Sequence, residues 1–230
     1  CNIVLSPNTD SDIVKVGSKL SVDESCLPGK IYLGHINYLI DKCDYVVIPR
    51  IYSYGRKKRV CVKFNGIYDV VNNIFPDIKI LDYNIDNLKF KYELFGFIKM
   101  GLKLNRNIFR IIYAYIIGKI KEYKYNKTLI LKQDKVMRSN KLKVLIVSHP
   151  YIVYDKYLSS NIINYLKDED IDILYSDRMD RKESIYYAEE ESNTLYFLYS
   201  KENIGSAFYY KDLVDGIIFL SSFPCGVDSL

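Results

Sequence analysis

Short, uninterrupted apolar runs constrain the fold of this 230-residue chain more than any other feature of its sequence. Five such runs end at turn or polar residues, at 2–10, 44–50, 143–155, 170–177 and 215–226. Runs of β-branched residues without alternation are typical of strands that are buried on both faces of a parallel sheet. Because helical patterns lie between the runs, the sequence predicts an α/β fold with parallel strands.

Helical patterns occupy most of the chain between these runs. Shorter helices are predicted at about 10–20, 28–42, 66–75, 156–167 and 200–211. A longer helical region at 90–125 is predicted to break near Leu104-Asn105-Arg106. The polar stretch 132–141 that follows has the composition of a linker.

These elements predict two α/β lobes that are joined by a helical segment. The first lobe spans 1–88, the helical connector 89–141 and the second lobe 142–230. The chain opens on an apolar run without an initiating Met and stops at CGVDSL, where a further helix is about to start. We therefore expect a fragment that is truncated at both ends.

The charge and the cysteine usage narrow the class of protein. The net charge is +5, and only GRKKR at 55–59 approaches the clustered basic surface that nucleic-acid binding needs. No nucleic-acid partner is therefore expected, and nucleic-acid binding by GRKKR is kept as a third, weaker hypothesis. No run of 18 uncharged apolar residues occurs, and we expect no transmembrane helix and no membrane partner. The five cysteines form no CxxC pair and no export signal precedes them, which favours reduced thiols in the cytoplasm.

Two thiols are placed before predicted helix starts. Cys26 lies in DESCLPGKIYLGH (23–35), and Cys225 lies in FPCGVDSL after an apolar run. Backbone N–H groups and the helix dipole stabilise a thiolate at such a position, and a thiolate is the form that binds metal or attacks a substrate. The alternative is that each is a small buried apolar residue.

Cys61 and His149 are further candidates. Cys61 lies in KKRVCVKFNG, among basic side chains that would stabilise a thiolate or attract phosphate, although a run of this kind is more often a solvated loop. His149 follows the run KVLIVS, and ligands of parallel sheets gather beyond the carboxyl ends of strands. It is either a functional group or a hydrogen-bonded structural histidine, and His35 and Cys43 are interpreted as structural.

Several familiar catalytic motifs are absent from the sequence. The chain contains no GxxxxGK[ST] loop, GxGxxG turn, GxSxG elbow or HExxH pair, and no four-Cys zinc spacing. Three isolated thiols that converge from separate loops could hold an iron–sulfur cluster, although their spacing alone does not select that site.

Four segments carry a resemblance to a known family: residues 23–51, 61–71, 147–166 and 215–230. Together they resemble, in order, the acyl-CoA dehydratase activase-related family. Its members carry an uncharacterised domain that occurs alone or behind CoA-enzyme activase ATPase domains. The resemblance runs through nearly the whole chain.

The resemblance implies a fold, a cofactor and a ligand set. The family is similar to the subunits of 2-hydroxyacyl-CoA dehydratases, which have Rossmann-like or flavodoxin-like lobes and hold a [4Fe-4S] cluster through three cysteines from separate loops. Carried over by position, the metal ligands would be Cys26, Cys61 and Cys225. His149 would be a cofactor-binding residue near the cluster without being a metal ligand.

The resemblance also implies partners and a reaction. In such dehydratases of anaerobes, an activase ATPase injects a low-potential electron, and a ketyl radical of the acyl-CoA substrate then loses its hydroxyl group. This chain has no ATPase signature and lacks the first strand-helix unit and the C-terminal region of the family, which puts its own catalytic competence in doubt. The rival hypothesis is a cluster-free scaffold that binds CoA or a partner subunit through the cleft between the lobes and the basic loop 56–59.

Overall fold

The structure, a computed structural model, describes residues 2–225, and it is an α/β protein with two small parallel sheets among those residues. The chain divides into two compact units, Cys1–Lys119 and Ile120–Leu230. The parallel α/β class predicted from the apolar runs is therefore confirmed. The Rossmann-like or flavodoxin-like character, the two-lobe arrangement and the boundaries at 88 and 142 stay predictions.

The first unit contains a two-stranded parallel sheet and the helices around it. Its elements are α1 (Ser11–Leu20), α2 (Leu27–Leu39), β1 (Val46–Ser53), α3 (Val62–Ile74), β2 (Ile80–Asp86), α4 (Glu93–Leu102) and the first part of α5 (Ile108–Met137). β1 and β2 run parallel, with Val46 opposite Ile80. Buried Leu33, Ile36 and Val71 pack with β1 side chains to form the core of the unit.

Helices α1 and α2 cross with their backbones in contact. The Asp10 carboxylate begins α1 by accepting hydrogen bonds from the amides of Asp12 and Ile13. A Cβ atom added to Gly34 would lie 2.1 Å from the carbonyl oxygen of Ile13, so only glycine fits at this crossing. The crossing fixes α2, and with it the residue that precedes α2, against α1.

The second unit contains a three-stranded parallel sheet. After the second part of α5 come β3 (Lys143–Ser148), α6 (Pro150–Val153), α7 (Lys156–Asp168), β4 (Asp172–Tyr175), α8 (Arg181–Glu191), α9 (Leu198–Tyr210) and β5 (Gly216–Leu220). The strand order is β4-β3-β5, and Leu145 in the central strand lies opposite both Leu174 and Ile217. This order brings the carboxyl ends of β3 and β4 next to each other.

Side-chain hydrogen bonds from α5 complete the edge strand β4. The side chain of Gln133 accepts a hydrogen bond from the amide of Tyr175 at 2.9 Å and donates one to the carbonyl of Tyr175 at 3.1 Å. The side-chain NH2 group of Gln133 also donates to the hydroxyl of Tyr210 at 3.2 Å. Gln133 therefore satisfies backbone groups that an edge strand would otherwise leave without partners.

Two predicted elements are wrong. The run 2–10 forms no strand: Ile3 and Leu5 are 86% and 81% exposed, and a short apolar run becomes a strand only where a neighbouring strand pairs with it. The polar stretch 132–141 is not a linker, since α5 continues through it to Met137, where Gln133 is buried and the polar side chains of Lys132, Asp134 and Lys135 are exposed.

The other predicted helices and strands are largely confirmed. The predicted break in the helical region at 104–106 separates α4 from α5, and four of the five apolar runs contain strands. Strand β2 and helix α8 were not predicted. The helix start expected after Cys225 lies outside the described residues, and so does Cys1. Within residues 2–225, none of the helices combines the length and apolar character needed to cross a bilayer.

Candidate functional site

Cys26 immediately precedes α2, as the sequence predicts. Its backbone is extended, with φ −62° and ψ 149°, and Pro28 lies in the first turn of the helix. The thiol is half-buried and accepts no capping hydrogen bond from the start of α2. A Cβ atom on Gly29 would lie 3.4 Å from Sγ, so the absence of a side chain there leaves room beside the sulfur. The N-terminal end of the helix dipole favours negative charge at this sulfur.

Cys61 is also a helix-start residue, which the sequence reasoning missed because it placed the helix at 66–75. The thiol lies directly before α3, and Sγ accepts a hydrogen bond from the amide of Lys63 at 3.3 Å. The basic run before it is a tight reverse turn in which the amide of Tyr54 donates to the carbonyl of Lys58 at 3.0 Å. Gly55 has a φ of +143°, a conformation that few other residues adopt. The turn connects β1 to the start of α3.

Cys225 belongs to the second unit, where it follows β5 and is half-buried. None of Cys26, Cys43, Cys61 and Cys225 forms a disulfide bond. Across residues 2–225, no three His, Cys, Asp or Glu side chains gather into a group that could hold a metal ion. The convergence of Cys26, Cys61 and Cys225 on one cluster therefore stays a prediction.

His149 ends β3 and precedes α6, which is the strand-end position that the sequence predicts. It is 3% exposed. Its ring stacks on Tyr151 with centroids 5.0 Å apart and meets Tyr199 edge-on at 6.0 Å. Its proposed role beside a cofactor remains a prediction. The structural interpretation of His35 agrees with a 3.1 Å hydrogen bond between its Nε2 and the hydroxyl of Thr9.

A tyrosine, a carboxylate and an arginine meet beyond the carboxyl end of β4. The hydroxyl of Tyr154 donates to Asp177 at 2.9 Å, and Nε of Arg178 donates to the hydroxyl of Tyr154 at 3.0 Å. The guanidinium of Arg178 lies 4.1 Å from the ring centroid of Tyr175. Burial raises the pKa of Asp177 above its ordinary value, while the Tyr154 hydrogen bond and the Arg178 charge oppose that rise.

A further carboxylate, which is buried, lies on α9. Glu202 is 9% exposed and forms an ion pair with Nε of Arg181, the first residue of α8. Burial raises the pKa of Glu202, the charge of Arg181 opposes the rise, and the charge of Asp177 adds to it. The neighbouring Lys201 is also buried and contacts Oε1 of Glu189 at 2.5 Å. Paired charges of this kind are the form in which ionised side chains are found in protein interiors.

These groups border a pocket of about 630 Å³ within the second unit. Its walls come from the second part of α5, the turn after β4, the first residues of α8, and α9. Four carboxylate residues and two cationic residues line it: Glu122, Asp177, Asp180, Glu202, Lys127 and Arg181. The pocket therefore has an acidic lining at the sheet edge where parallel α/β proteins bind ligands.

The sequence reasoning missed most of this second site. Asp177 and Arg178 lie in or beside a run that was interpreted only as a strand, and α8 was not predicted. One signal could have found its start: Asp180 followed three residues later by Glu183. The Asp180 carboxylate does cap α8, accepting from the amides of Lys182 at 2.8 Å and Glu183 at 3.3 Å.

Comparison with known proteins matches the chain to a family. A family model described as the CoA enzyme activase uncharacterised domain matches residues 1–179, which is most of the chain. Searches of the curated proteins and of the solved structures give no significant match.

Proposed function

The chain belongs to the family of the CoA enzyme activase uncharacterised domain, and from this membership we propose that it is an iron–sulfur component of an acyl-CoA dehydratase-like system. In this proposal the chain works with an ATP-dependent activase and takes part in low-potential electron transfer for 2-hydroxyacyl-CoA dehydration. The membership supports association with an activase system. The cluster and the reaction are what the resemblance of the sequence implies, and the helix-start positions of Cys26 and Cys61 support the cluster.

The observation that carries the proposal is that Cys26 and Cys61 both occupy the position immediately before a helix. Iron–sulfur clusters are held by thiolates, and a helix N-terminus stabilises the thiolate. Cys61 Sγ already accepts a backbone hydrogen bond from Lys63, and N–H donors to sulfur are among the groups that tune a cluster's reduction potential. The two thiols therefore fit the chemistry of cluster ligands.

The third ligand of the proposal is Cys225, from the second unit. A cluster held by these three thiols would leave one iron for a ligand other than cysteine, such as water or substrate. When bound, the cluster would supply one-electron chemistry at low potential. The chain itself would supply thiolate charge from the starts of α2 and α3 and, through Lys63, a hydrogen bond to one sulfur.

Anaerobic reconstitution with iron and sulfide tests this function. We expect the chain to take up about four irons and to absorb near 400 nm, the general properties of a [4Fe-4S] protein. Cys26→Ser, Cys61→Ser and Cys225→Ser should each lower iron content and absorbance. Cys43→Ser is the matched control, because the Cys43 thiol donates to the carbonyl of Leu39 at 3.2 Å in a structural role.

Two results would contradict the proposal. The first is that the reconstituted chain takes up no iron. The second is that the triple Cys→Ser variant binds as much iron as the unsubstituted chain. Either result would favour the cluster-free alternative, a module that binds CoA or a partner subunit.

A further inference from the structure

One face of α5 carries a stripe of large apolar and aromatic side chains that the described residues leave exposed. The stripe consists of Phe109, Tyr113, Ile116, Ile120 and Tyr123, at alternating intervals of four and three residues. This spacing places all of them on one side of the helix, over a length of about 21 Å. Their exposed fractions run from 45% at Ile120 to 81% at Phe109. A contiguous exposed patch of this kind marks an interaction surface.

The stripe is separate from the side by which α5 packs. In the first unit, Ile111 is buried and the ring of Tyr115 contacts that of Phe97, with centroids 5.4 Å apart. In the second unit, Gln133 is buried and bonded to β4. Because a helix turns by about 100° per residue, these packed residues lie on a different side of α5 from the stripe.

Basic side chains accompany the stripe. Between residues 103 and 131 the chain has seven Lys and Arg residues and a single acidic one, Glu122, which lines the pocket of the second unit. Arg110, Lys121 and Lys124 are exposed, and the helix turn places them along one edge of the stripe. The complementary surface is therefore anionic. A second copy of the same stripe would bring like charges together, which opposes self-association.

The composition of the stripe favours a bilayer surface over a partner helix or a nucleic acid. Three of its five residues are aromatic, whereas the seams of paired helices are mostly aliphatic. Tyrosine rings are typical of the membrane interface, where the ring meets acyl chains and the hydroxyl meets headgroups. A nucleic acid would use the basic side chains but would leave Ile116 and Ile120 without an apolar environment. Helices with cations beside an apolar face lie in the bilayer interface.

We propose that the exposed stripe of α5 binds the surface of an anionic lipid bilayer, with its apolar side chains in the interface and Arg110, Lys121 and Lys124 at lipid phosphates. Interfacial binding needs no helix that crosses the bilayer. The sequence expectation of no membrane partner, which rests on the lack of long apolar runs, therefore does not bear on it. The inference goes beyond the proposed cluster function and does not depend on it, because it requires no iron.

Co-sedimentation of the iron-free chain with lipid vesicles tests the proposal. We expect binding to vesicles of phosphatidylcholine and phosphatidylglycerol in equal parts, and binding about tenfold weaker or less to phosphatidylcholine alone. Added salt should weaken binding to the anionic vesicles, because it screens the attraction between the basic side chains and the lipid.

A pair of aromatic substitutions tests the apolar contribution. The double variant Phe109→Ser, Tyr113→Ser should weaken binding to the anionic vesicles about tenfold or more, because two exposed rings no longer enter the interface. Tyr125→Ser is the matched control and should leave the affinity unchanged. Tyr125 lies on the same helix outside the stripe, and it is as exposed as Tyr113, at 65% against 66%.

A pair of lysine substitutions tests the charge contribution. The double variant Lys121→Gln, Lys124→Gln should weaken binding to the anionic vesicles about tenfold or more, since each basic side chain near such a surface contributes roughly a factor of five. The control removes the same charge from exposed positions on α7 and α8, as Lys167→Gln, Lys182→Gln, and should leave the affinity nearly unchanged.

Three results would overturn the inference. The first is no co-sedimentation with the anionic vesicles, whether or not the chain binds an acidic helical peptide or an oligonucleotide instead. The second is unchanged binding in the aromatic double variant or, if circular dichroism shows that it does not fold, in the lysine double variant. The third is a lipid-free dimer in analytical ultracentrifugation that the aromatic variant abolishes, because a second copy would then cover the stripe. Iron content is not a readout of this experiment, so its failure is separable from failure of the cluster proposal.

Discussion

At the scale of single residues, two neighbouring carboxylates of the second unit are unusual, since Glu202 is buried and Asp177 is half-buried. Burial raises the pKa values of both Asp177 and Glu202. The ion pair with Arg181 and the Tyr154–Arg178 contacts compensate only in part, since the rise persists despite them. A protein keeps such groups at a cost to stability, and that cost depends on pH.

The first prediction concerns that pH dependence. Because the pKa of Asp177 is raised on folding, the folded chain holds this proton more tightly than the unfolded chain does. Unfolding then releases a proton, so the free energy of unfolding falls as the pH rises from about 4, the ordinary carboxylate pKa, through the raised value. Asp177→Asn removes this contribution, and urea unfolding at several pH values between 4 and 7 should show a shallower decline.

The control for this prediction is Asp212→Asn, because Asp212 is exposed. That variant should retain the slope of the unsubstituted chain. Equal slopes for Asp177→Asn and the unsubstituted chain would show that the Asp177 carboxylate does not control this pH dependence.

The sequence predicts some functional residues and not others for a physical reason. The position of Cys26 before a helix follows from Pro28 and the apolar pattern after it, which are local signals. The environments of Asp177 and Glu202 depend on how α5, α8 and α9 pack. The neighbouring residues in the sequence do not predict that packing. A carboxylate becomes unusual through its environment, and the environment is a property of the fold.

At the scale of helices and strands, glycine permits the closest crossings. A Cβ atom on Gly17 would lie 1.8 Å from the carbonyl oxygen of Lys30, and one on Gly205 would lie 1.7 Å from that of Ser184. Each obstacle is backbone, which cannot rotate out of the way as a side chain can. The α1–α2 and α8–α9 pairs therefore depend on the absence of a side chain.

The second prediction compares two glycines of the first unit. Gly34→Ala should lower the free energy of unfolding by about 2 kcal/mol or more, because its Cβ atom would overlap the backbone of α1. Gly66→Ala should raise it by roughly 0.5–1 kcal/mol, because Gly66 lies inside α3 with nothing within 4 Å of the added atom. Urea unfolding of both variants measures the difference. A neutral Gly34→Ala would mean that the two helices do not cross this closely.

The third prediction concerns the edge strand β4. Gln133→Ala should lower the free energy of unfolding by about 1–3 kcal/mol, because it leaves both backbone groups of Tyr175 without their partner. It should also speed hydrogen exchange of the Tyr175 amide. Lys132→Ala, at the adjacent exposed position on α5, should change neither quantity. Unchanged exchange in Gln133→Ala would contradict the assigned role.

The elements that the sequence predicts are those with a strong local pattern. β1, β3 and β5 are continuous apolar runs, whereas the missed strand β2 reads ILDYNID, in which polar residues interrupt the apolar ones. Helix α8, RKESIYYAEEE, is largely polar, so its apolar periodicity is weak. The apolar run at 2–10 shows the opposite error: the pattern predicts a strand, but no strand forms. An apolar pattern does not by itself provide the neighbouring strand with which a strand must pair.

At the scale of the whole molecule, each unit has its own hydrophobic core and its own sheet. The first core surrounds β1, and two buried clusters flank the sheet of the second unit. The functional features divide in the same way: the helix-start thiols belong to the first unit, and the acidic pocket belongs to the second. The sequence predicts the α/β class because that class depends on the alternation of apolar runs with helical patterns along the chain. Whether the thiols converge depends on long-range packing, which patterning does not specify.

The positions of the three thiols along the chain also set an order of events during synthesis. Cys26 and Cys61 leave the ribosome early, whereas Cys225 follows the last described strand. At typical elongation rates, the delay between Cys61 and Cys225 is roughly 10–30 s. If one cluster uses all three thiols, it can be inserted only after translation has passed β5. Until then Cys26 and Cys61 remain free thiols, and any iron that they bind lacks its third cysteine ligand.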